Sequence, residues 1–449
     1  MASLESGKSD LKPLDVLIIG GSLGGLMAGI LLKRRGHNVR ILEQAESSER
    51  EGLAAGVGLS FHVKAFFETE DRLKDRPLGV ANDAFYVLDW NMDVKYKLPT
   101  KTNLTTWDSA YYRARANFDR YASSYVPDPP PVDAESNEGE GIYLTGKKVT
   151  KVDDIDGRMT AIVQNAQSGE VEHYQGDIVI AADGANSPIR RQLNPGLERE
   201  EPGYVIWRGT VPTKDLRQEL LDKIEDKPII WPGQHTYCVI YTIPGNNGSL
   251  KPGERYINFA WYFWPTQFSL RDIMTDSDGH YHRTTIPKGK LQPDIWKSQL
   301  EQARRLLNPE LVELAEHIKE PFVSVISSIS APKAAYFNNR LFLIGDALTQ
   351  SQPNVGMGTS LAAFAATTLV KEVICPPSQS ERLGKDRVAE WERKALQETE
   401  LTRLRSVSFA SWYLNSWPMI GWYFARYYFE QYWQRWIGRR TQAFSVFGR

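Results

Sequence analysis

Residues 14–43 read LDVLIIGGSLGGLMAGILLKRRGHNVRILE. The run LDVLIIG (14–20) is apolar and β-branched, the composition of a strand buried on both faces of a parallel sheet. Glycines follow at once, and Leu26, Met27, Ile30 and Leu31 then recur at helical spacing until Gly36 stops the helix. HNVRILE returns to a strand pattern and ends at Glu43, so the stretch is one β-α-β unit of about 30 residues. Within it Gly20-Gly21-Ser22-Leu23-Gly24-Gly25 forms a G-x-S-x-x-G pattern, with a serine hydroxyl where a glycine is usual. A tight turn at Gly20, close backbone approach near Ser22 and close helix-to-strand packing at Gly25 would set a pyrophosphate on the helix N-terminus. Glu43 supplies the acid expected to hold a ribose diol, so this unit reads as a dinucleotide site.

The rest of the chain narrows the class. Its 449 residues suggest two to three domains, and 54 Lys+Arg against 55 Asp+Glu leave no basic surplus for a polyanion, which argues against nucleic acid as a partner. Cys238 and Cys375 lie too far apart in sequence for a disulfide framework or a four-cysteine metal site. The seven histidines lack metal-ligand spacing; His280 and His282 sit on a polar loop with Asp276 and Asp278 and read as a solvated turn, so no metal is expected. Free thiols and a polar start, MASLESGKSDLKP, without a secretory pattern point to the cytoplasm.

Residues 123–141, rich in proline and acids, read as a surface loop, and GDIVIAADGANSPIRRQL (176–193) as strand, turn and helix start. YVIWRGTVP, TYCVIYTIP and RYINFAWYFW, between 204 and 264, read as strands of an antiparallel sheet, with a long hairpin at GNNGSLKPGE. Residues 293–318 read as amphipathic helix, and RLFLIG (340–345) as a strand before a glycine-rich turn and a small-residue helix. Asp183-Gly184 and Gly345-Asp346 each follow an apolar strand, where an α/β sheet binds ligands. Pro353 and Gly356-Met357-Gly358-Thr359 then precede the helix, where bare amides suit the N1/C2 carbonyl region of a flavin and the negative charge it gains on reduction. These motifs choose FAD over NAD as the dinucleotide.

The fingerprint with Glu43, the DG motif and the GD motif occur in the order and spacing of the group A FAD-dependent aromatic monooxygenases, which the chain resembles. LTTWDSAYYRARA, GYVIWRGTVP, YTIPGNNGSLKPGERYINFAWY, MTDSDGHYHRTTIPKG, PFVSVI and RLFLIGDALTQSQPNVGMGTS are similar to the 2,6-dihydroxypyridine 3-monooxygenase-like branch, over about residues 14–372. Where the family reads GDAA…RPH…G, this chain has Gln352-Pro353-Asn354 in place of the Arg and His, and Leu361 and Ala365 in place of a Lys and an Asp of the next helix. The resemblance implies an α/β fold: a discontinuous Rossmann-like, glutathione-reductase-like FAD-binding domain (1–75, 101–195 and 331–398), an inserted antiparallel-sheet substrate domain (76–100 and 196–330), and a C-terminal helical aromatic segment (399–449). The FAD-binding set is Gly20, Ser22, Gly25, Glu43, Gly56, Asp183, Gly184, Asp346, Pro353, Gly356, Gly358 and Thr359. It also implies transient docking of NADPH or NADH, dioxygen as co-substrate, and oxygen transfer from a flavin C4a-hydroperoxide to an electron-rich aromatic or heteroaromatic small molecule, by hydroxylation or epoxidation.

Strand alternation puts Tyr204, Ile206 and Arg208 on one face, and Tyr241 with Val239 and Ile243 on another strand's face. Related fungal enzymes carry an active-site Arg and Tyr at corresponding positions, so Arg208 and Tyr241 are the expected catalytic pair, against the alternatives of a sheet-edge ion pair and a core aromatic. In RYINFAWYFW one face carries Tyr256, Asn258, Ala260, Tyr262 and Trp264 and the other Ile257, Phe259, Trp261 and Phe263; alternation does not choose between them for the pocket.

From Trp412 to Trp436 there are twelve aromatics in 25 residues, bracketed by arginines that include Arg439 and Arg440. Two readings stand: a helical pair packed on the FAD domain or on a second copy, and a membrane-interface helix; Pro418 and the polar interior argue against a true span. For function, the alternatives to a monooxygenase are an FAD oxidase or dehydrogenase of the same fold, a flavin halogenase, whose W-x-W-x-I-P signature is missing, and a non-catalytic flavin-binding membrane-associated protein.

Overall fold

The computed structural model describes residues 12–50, 56–131, 136–376, 382–414 and 417–436, with no statement on side chains 417–420, 423–424 and 433–436. The first eleven residues, part of the acidic proline-rich loop, Arg439 and Arg440, and the side chains of Trp417, Tyr423, Phe424, Trp433 and Trp436 lie outside the described residues.

Asp15–Ile19 forms the middle of a six-stranded sheet, because every residue after Asp15 is apolar and both faces are covered. It pairs in parallel with Asn38–Leu42 on one side and Ile178–Ala181 on the other; Gly141–Leu144 extends the first side, and Leu341–Leu343 the second, with Ala335–Tyr336 as an antiparallel edge. Strands from the first and last thirds of the chain thus share one sheet, and Gly20, Glu43, Asp183 and Asp346 all follow the C-terminal ends of its parallel strands. The helix Leu23–Lys33 is buried almost throughout, under Trp107–Phe118 and Gly358–Thr368. Gly29 lets Phe118 pack close to the helix, since a Cβ there would lie 3.0 Å from its ring.

The second sheet has eight strands in the order Phe322–Val325, Val205–Pro212, Tyr256–Phe263, Thr236–Ile243, Ile229–Gly233, Val80–Leu88, Val94–Thr106 and Gly56–Leu59. It is antiparallel apart from the Ile229–Gly233 pairing with Val80–Leu88. Residues 80–106 lie in the same sheet as 205–263, and the strand Val94–Thr106 continues past residue 100. Trp207, Trp231, Ile257, Phe259 and Trp261 cluster on one face of the sheet beneath Gln218–Ile224, Pro293–Leu306 and Pro309–Glu316. This fixes the packed face of the Tyr256–Phe263 strand and leaves Asn258, Ala260 and Tyr262 on the other.

The helical pattern over 293–318 resolves into two helices. Pro309 lacks an N–H and disfavours helix in the residue before it, so the chain breaks at Leu307-Asn308, where the Asn308 side chain accepts from Glu310 N at 2.8 Å and caps the second helix. A three-stranded meander, Lys147–Ile155, Arg158–Asn165 and Val171–Gly176, flanks the parallel sheet. At the C-terminus Lys385–Leu414 and Trp417–Trp436 pack against each other, and the first also reaches the second sheet, where Ala410 and Leu414 meet Tyr204, Tyr237 and Tyr262. Among the described residues no helix is long and apolar enough to cross a membrane. Cys238 and Cys375 are free thiols, and among the described residues no cluster of His, Cys, Asp or Glu could hold a metal.

Candidate active site

At the first corner the fingerprint turn is packed tightly. Gly20 has φ +96°, and a Cβ on it would lie 2.4 Å from Ala182 O; a Cβ on Gly25 would lie 2.0 Å from Gly20 O. Ser22 is the N-cap of Leu23–Lys33, yet its hydroxyl makes no cap bond, so the first-turn amides are not satisfied by it. Glu43, 5% exposed, accepts from Gly21 N (2.7 Å) and Ala45 N (2.9 Å) and lies 3.4 Å from the Arg50 guanidinium. Tyr143 OH donates to Gly21 O at 2.9 Å, and Arg50 stands 5.2 Å over the Trp107 ring. A surface groove bordered by Glu43, Gln44, Arg50, Lys148 and Gln164 continues outward from this corner.

The second corner joins the two aspartate motifs. Asp183 Oδ2 accepts from Ile189 N at 3.3 Å, while Oδ1 is buried without a partner among the described residues, and burial pushes the carboxyl up against the bonds from Ser187 and Ile189. Burial likewise raises the Asp346 carboxyl, opposed by Arg190 and Arg199. Arg190 ties the motifs together by donating to Asp346 O (2.7 Å) and Ala347 O (3.0 Å). A Cβ on Gly184 would meet nothing within 4 Å.

The third corner is the turn before Gly358–Thr368. Pro353 opens a short helical turn that ends at Gly356, φ +63°, and a Cβ at Gly356 or Gly358 would meet nothing within 4 Å. Met357, the N-cap, makes no side-chain cap bond, so this helix too leaves its first amides without a side-chain partner. Thr359 Oγ1 donates to Gly58 O at 3.2 Å and fastens the turn to the strand Gly56–Leu59. Gln352 and Asn354, which replace the family's Arg and His, point into a buried network: Asn354 accepts from Tyr237 OH (2.8 Å) and Tyr204 OH (3.2 Å) and donates to Ser406 O (3.2 Å), while Ser406 Oγ donates to Gln352 O (2.7 Å).

Opposite this turn stands the other face of the eight-stranded sheet, partly covered by Ala410 and Leu414 of Lys385–Leu414. Register alone brings Arg208 opposite Ala260, and Tyr241 opposite Asn258. Arg208 Nη2 donates to Gly56 O (3.3 Å), Gly56 N donates to Asn258 Oδ1 (3.3 Å), and a Cβ on Gly56 would lie 2.5 Å from the Tyr241 ring. Burial pushes the Tyr241 hydroxyl above its usual range, with Arg208 pulling the other way. Gly56, Arg208 and Tyr241 therefore meet at one point beside the Pro353–Thr359 turn, whereas Glu43 marks the far end of the edge. Such an edge can take an elongated ligand with phosphates at one end and a planar, charge-accepting ring at the other.

A profile described as an FAD binding domain matches residues 13–60, and one described as FAD binding domain-like matches residues 202–328. The chain is 23% identical over 359 residues to the 2,6-dihydroxypyridine 3-monooxygenase of Paenarthrobacter nicotinovorans, covering 79% of this chain and 82% of the relative. It is 26% identical over 358 residues to the 6-hydroxynicotinate 3-monooxygenase of Pseudomonas fluorescens, covering 77% and 79%. The chain is similar to FAD-dependent monooxygenases over most of its length. The solved 2,6-dihydroxypyridine-3-hydroxylase of Arthrobacter nicotinovorans shares this fold, with a TM-score of 0.75 at 22% identity, over 90% of this chain and 94% of that one.

FAD is the cofactor of this oxidoreductase, and its named relatives are aromatic hydroxylating monooxygenases. Three features of its site escaped the sequence: Asn258, the Arg190 brace, and the link from Gln352 and Asn354 to Ser406. Only Asn258 left a signal, as the one amide in an otherwise aromatic and apolar strand.

Proposed function

We propose that this protein uses NADPH or NADH and dioxygen to insert one oxygen atom into an electron-rich aromatic or heteroaromatic small molecule, by hydroxylation or epoxidation. The observation that carries the reading is the bare backbone at Gly184, Gly356 and Gly358, three positions along one edge where no protein atom comes within 4 Å of a would-be Cβ. Gly356 and Gly358 are exposed and Gly184 is half-buried, so the edge is open there, and the bare backbone amides suit a ligand laid along the chain. Gly20, Ser22 and Gly25 would hold the pyrophosphate at the start of Leu23–Lys33, and Glu43 the ribose. Asp183, Gly184 and Asp346 would line the middle, where the orphaned Asp183 Oδ1 waits for a hydroxyl donor. Gly56, Pro353, Gly356, Gly358 and Thr359 would frame the ring.

When bound, the flavin supplies the redox step and the activation of oxygen. The chain supplies the rest. The amides that begin Gly358–Thr368 favour negative charge on the ring they face. Arg208 holds an anionic oxygen, Tyr241, kept protonated by burial, donates to a substrate oxygen, and the second sheet keeps water out. The test is NADPH and NADH oxidation by the FAD-loaded protein against a panel of phenols, hydroxypyridines and indoles under labelled dioxygen. Substrate-stimulated oxidation with one labelled atom in the product supports the reading. Stimulated turnover whose product carries no label makes the protein an oxidase or dehydrogenase instead.

A further inference from the structure

The turn before Gly358–Thr368 is fixed at one end and bare at the other. Gln352, Asn354 and Ser406 are 6%, 6% and 0% exposed, and Tyr204 and Tyr237 lie as deep, yet none of their buried side-chain polar atoms lacks a partner. Ser406 Oγ donates to Gln352 O (2.7 Å), Tyr262 OH to Pro353 O (3.4 Å) and Tyr237 OH to Asn354 Oδ1 (2.8 Å). Asn354 Nδ2 in turn donates to Ser406 O (3.2 Å) and Tyr204 OH (3.0 Å), and Tyr204 OH reaches Gln352 Oε1 (3.0 Å). Three consecutive residues are thus each bonded to an element outside the turn, to the eight-stranded sheet through its tyrosines or to Lys385–Leu414 through Ser406. Two residues on, Gly356 is exposed with φ +63°, and after it come the first amides of Gly358–Thr368, which no side chain caps. A closed polar network in a low-dielectric interior resists displacement, because moving one member strands the others. Gln352 and Asn354, neutral where the resembled family carries Arg and His, are spent inside that network.

We propose that Ser406 and Asn354 are positioning residues: through them the C-terminal helix Lys385–Leu414 holds the Pro353–Gly356 turn so that the amides opening Gly358–Thr368 face the flavin ring, and thereby sets how readily bound FAD takes up electrons. This rests on the reading that the ring lies against that turn. Neither side chain needs to touch the ring, since the constraint passes along the backbone from Asn354 to Gly356. The benefit of a helix N-terminus to a facing negative charge fades within one turn of helix, so a turn that wanders forfeits it. Ala410 and Leu414, with Phe409 and Tyr413, pack on the sheet independently of Ser406. Loss of the Ser406 hydroxyl therefore loosens the turn and leaves the helix docked.

The FAD-loaded protein is equilibrated without oxygen against a dye of known potential, and the reduced fraction of the flavin is read from its absorbance. Ser406→Ala removes only the bond to Gln352 O, and Tyr237→Phe only the bond to Asn354 Oδ1, keeping the ring stacked 4.2 Å from Tyr262. Each is expected to bind FAD within about threefold of the wild type, while the ratio of reduced to oxidised flavin at one dye potential falls about threefold. The double variant should fall by less than the product of the two, since both bonds hold one turn. Ser408→Ala is the control: its hydroxyl, on the same helix and 4% exposed, has no hydrogen-bond partner among the described residues, and its removal should leave the ratio unchanged. An unchanged ratio in FAD-retaining Ser406→Ala and Tyr237→Phe, an equal fall in Ser408→Ala, or independent effects in the double variant overturns the proposal. Weakened FAD binding by Gly358→Ala together with an unchanged ratio in Ser406→Ala would leave the ring where it is placed and remove only the brace. Neither NADPH, dioxygen nor an aromatic substrate enters the measurement, so this failure is distinct from an unlabelled product in the oxygen test.

Discussion

At the fingerprint turn an added Cβ would strike backbone, 2.4 Å from Ala182 O at Gly20 and 2.0 Å from Gly20 O at Gly25; at Gly356 and Gly358 it would meet nothing within 4 Å. The first turn needs glycine so that a helix can sit on a strand. At the second, packing makes no such demand: Gly356 is held by its left-handed backbone (φ +63°), while Gly358 has neither constraint and lies in the first turn of a helix, where alanine is the better residue by about 1 kcal/mol. A glycine such as Gly358, which neither packing nor a left-handed backbone requires, points to what the protein binds, whereas one that packing demands tells mainly about the fold.

Alanine substitution tests this contrast most severely at Gly25. Gly25→Ala should destabilise the fold by ~3 kcal/mol or more, because the obstacle is backbone and cannot step aside. Soluble yield and thermal melting measure it, and a near-normal melt would break the comparison.

Acid should next loosen the same packed end. His37, 2% exposed, accepts from Leu14 N at Nδ1 (3.1 Å), so its proton sits on Nε2, 3.1 Å from Cys375 Sγ. Burial, with Arg382 and Arg35 nearby, lowers its pKa to about 4. The folded value lies below the unfolded one, so this stability is complete above about pH 6.5 and is lost as pH falls toward 4, by up to about 3 kcal/mol. Melting temperatures of the wild type should therefore fall more steeply across that window than those of His37→Gln, and parallel slopes would contradict the assignment.

The smallest effect on the fold belongs to the open turn. Gly358→Ala should change apo stability by no more than about 1 kcal/mol, in the stabilising direction, while raising the FAD dissociation constant at least tenfold. Calorimetric titration of the apoprotein with FAD measures the second quantity. Unchanged affinity would mean that the gap at this turn does not serve the cofactor.

The same contrast explains what the sequence could reveal. Residues 14–43 disclosed a β-α-β unit because strand, turn and helix signals are local, and Asp183-Gly184 and Gly345-Asp346 were legible for the same reason. Alternation in RYINFAWYFW separated the two faces, but choosing the packed one required the helices Gln218–Ile224, Pro293–Leu306 and Pro309–Glu316, from other parts of the chain. The role of Asn258 depends on Gly56, about 200 positions away, and that of Asn354 on Ser406 in the C-terminal helix. Such pairings carry no periodicity and no spacing rule. The one local misjudgement, a continuous helix over 293–318, came from reading amphipathic period across Pro309.

The order of strands in the parallel sheet also has a meaning in time. Asp15–Ile19 leaves the ribosome well before its neighbour Ile178–Ala181, Leu341–Leu343 follows later still, and Ser406, which anchors the Pro353 turn, later again. Pairings of such separation form slowly. The central strand therefore waits, apolar and unpaired at its Ile178–Ala181 edge, while about 160 further residues are made, and needs shielding from aggregation until its partners emerge.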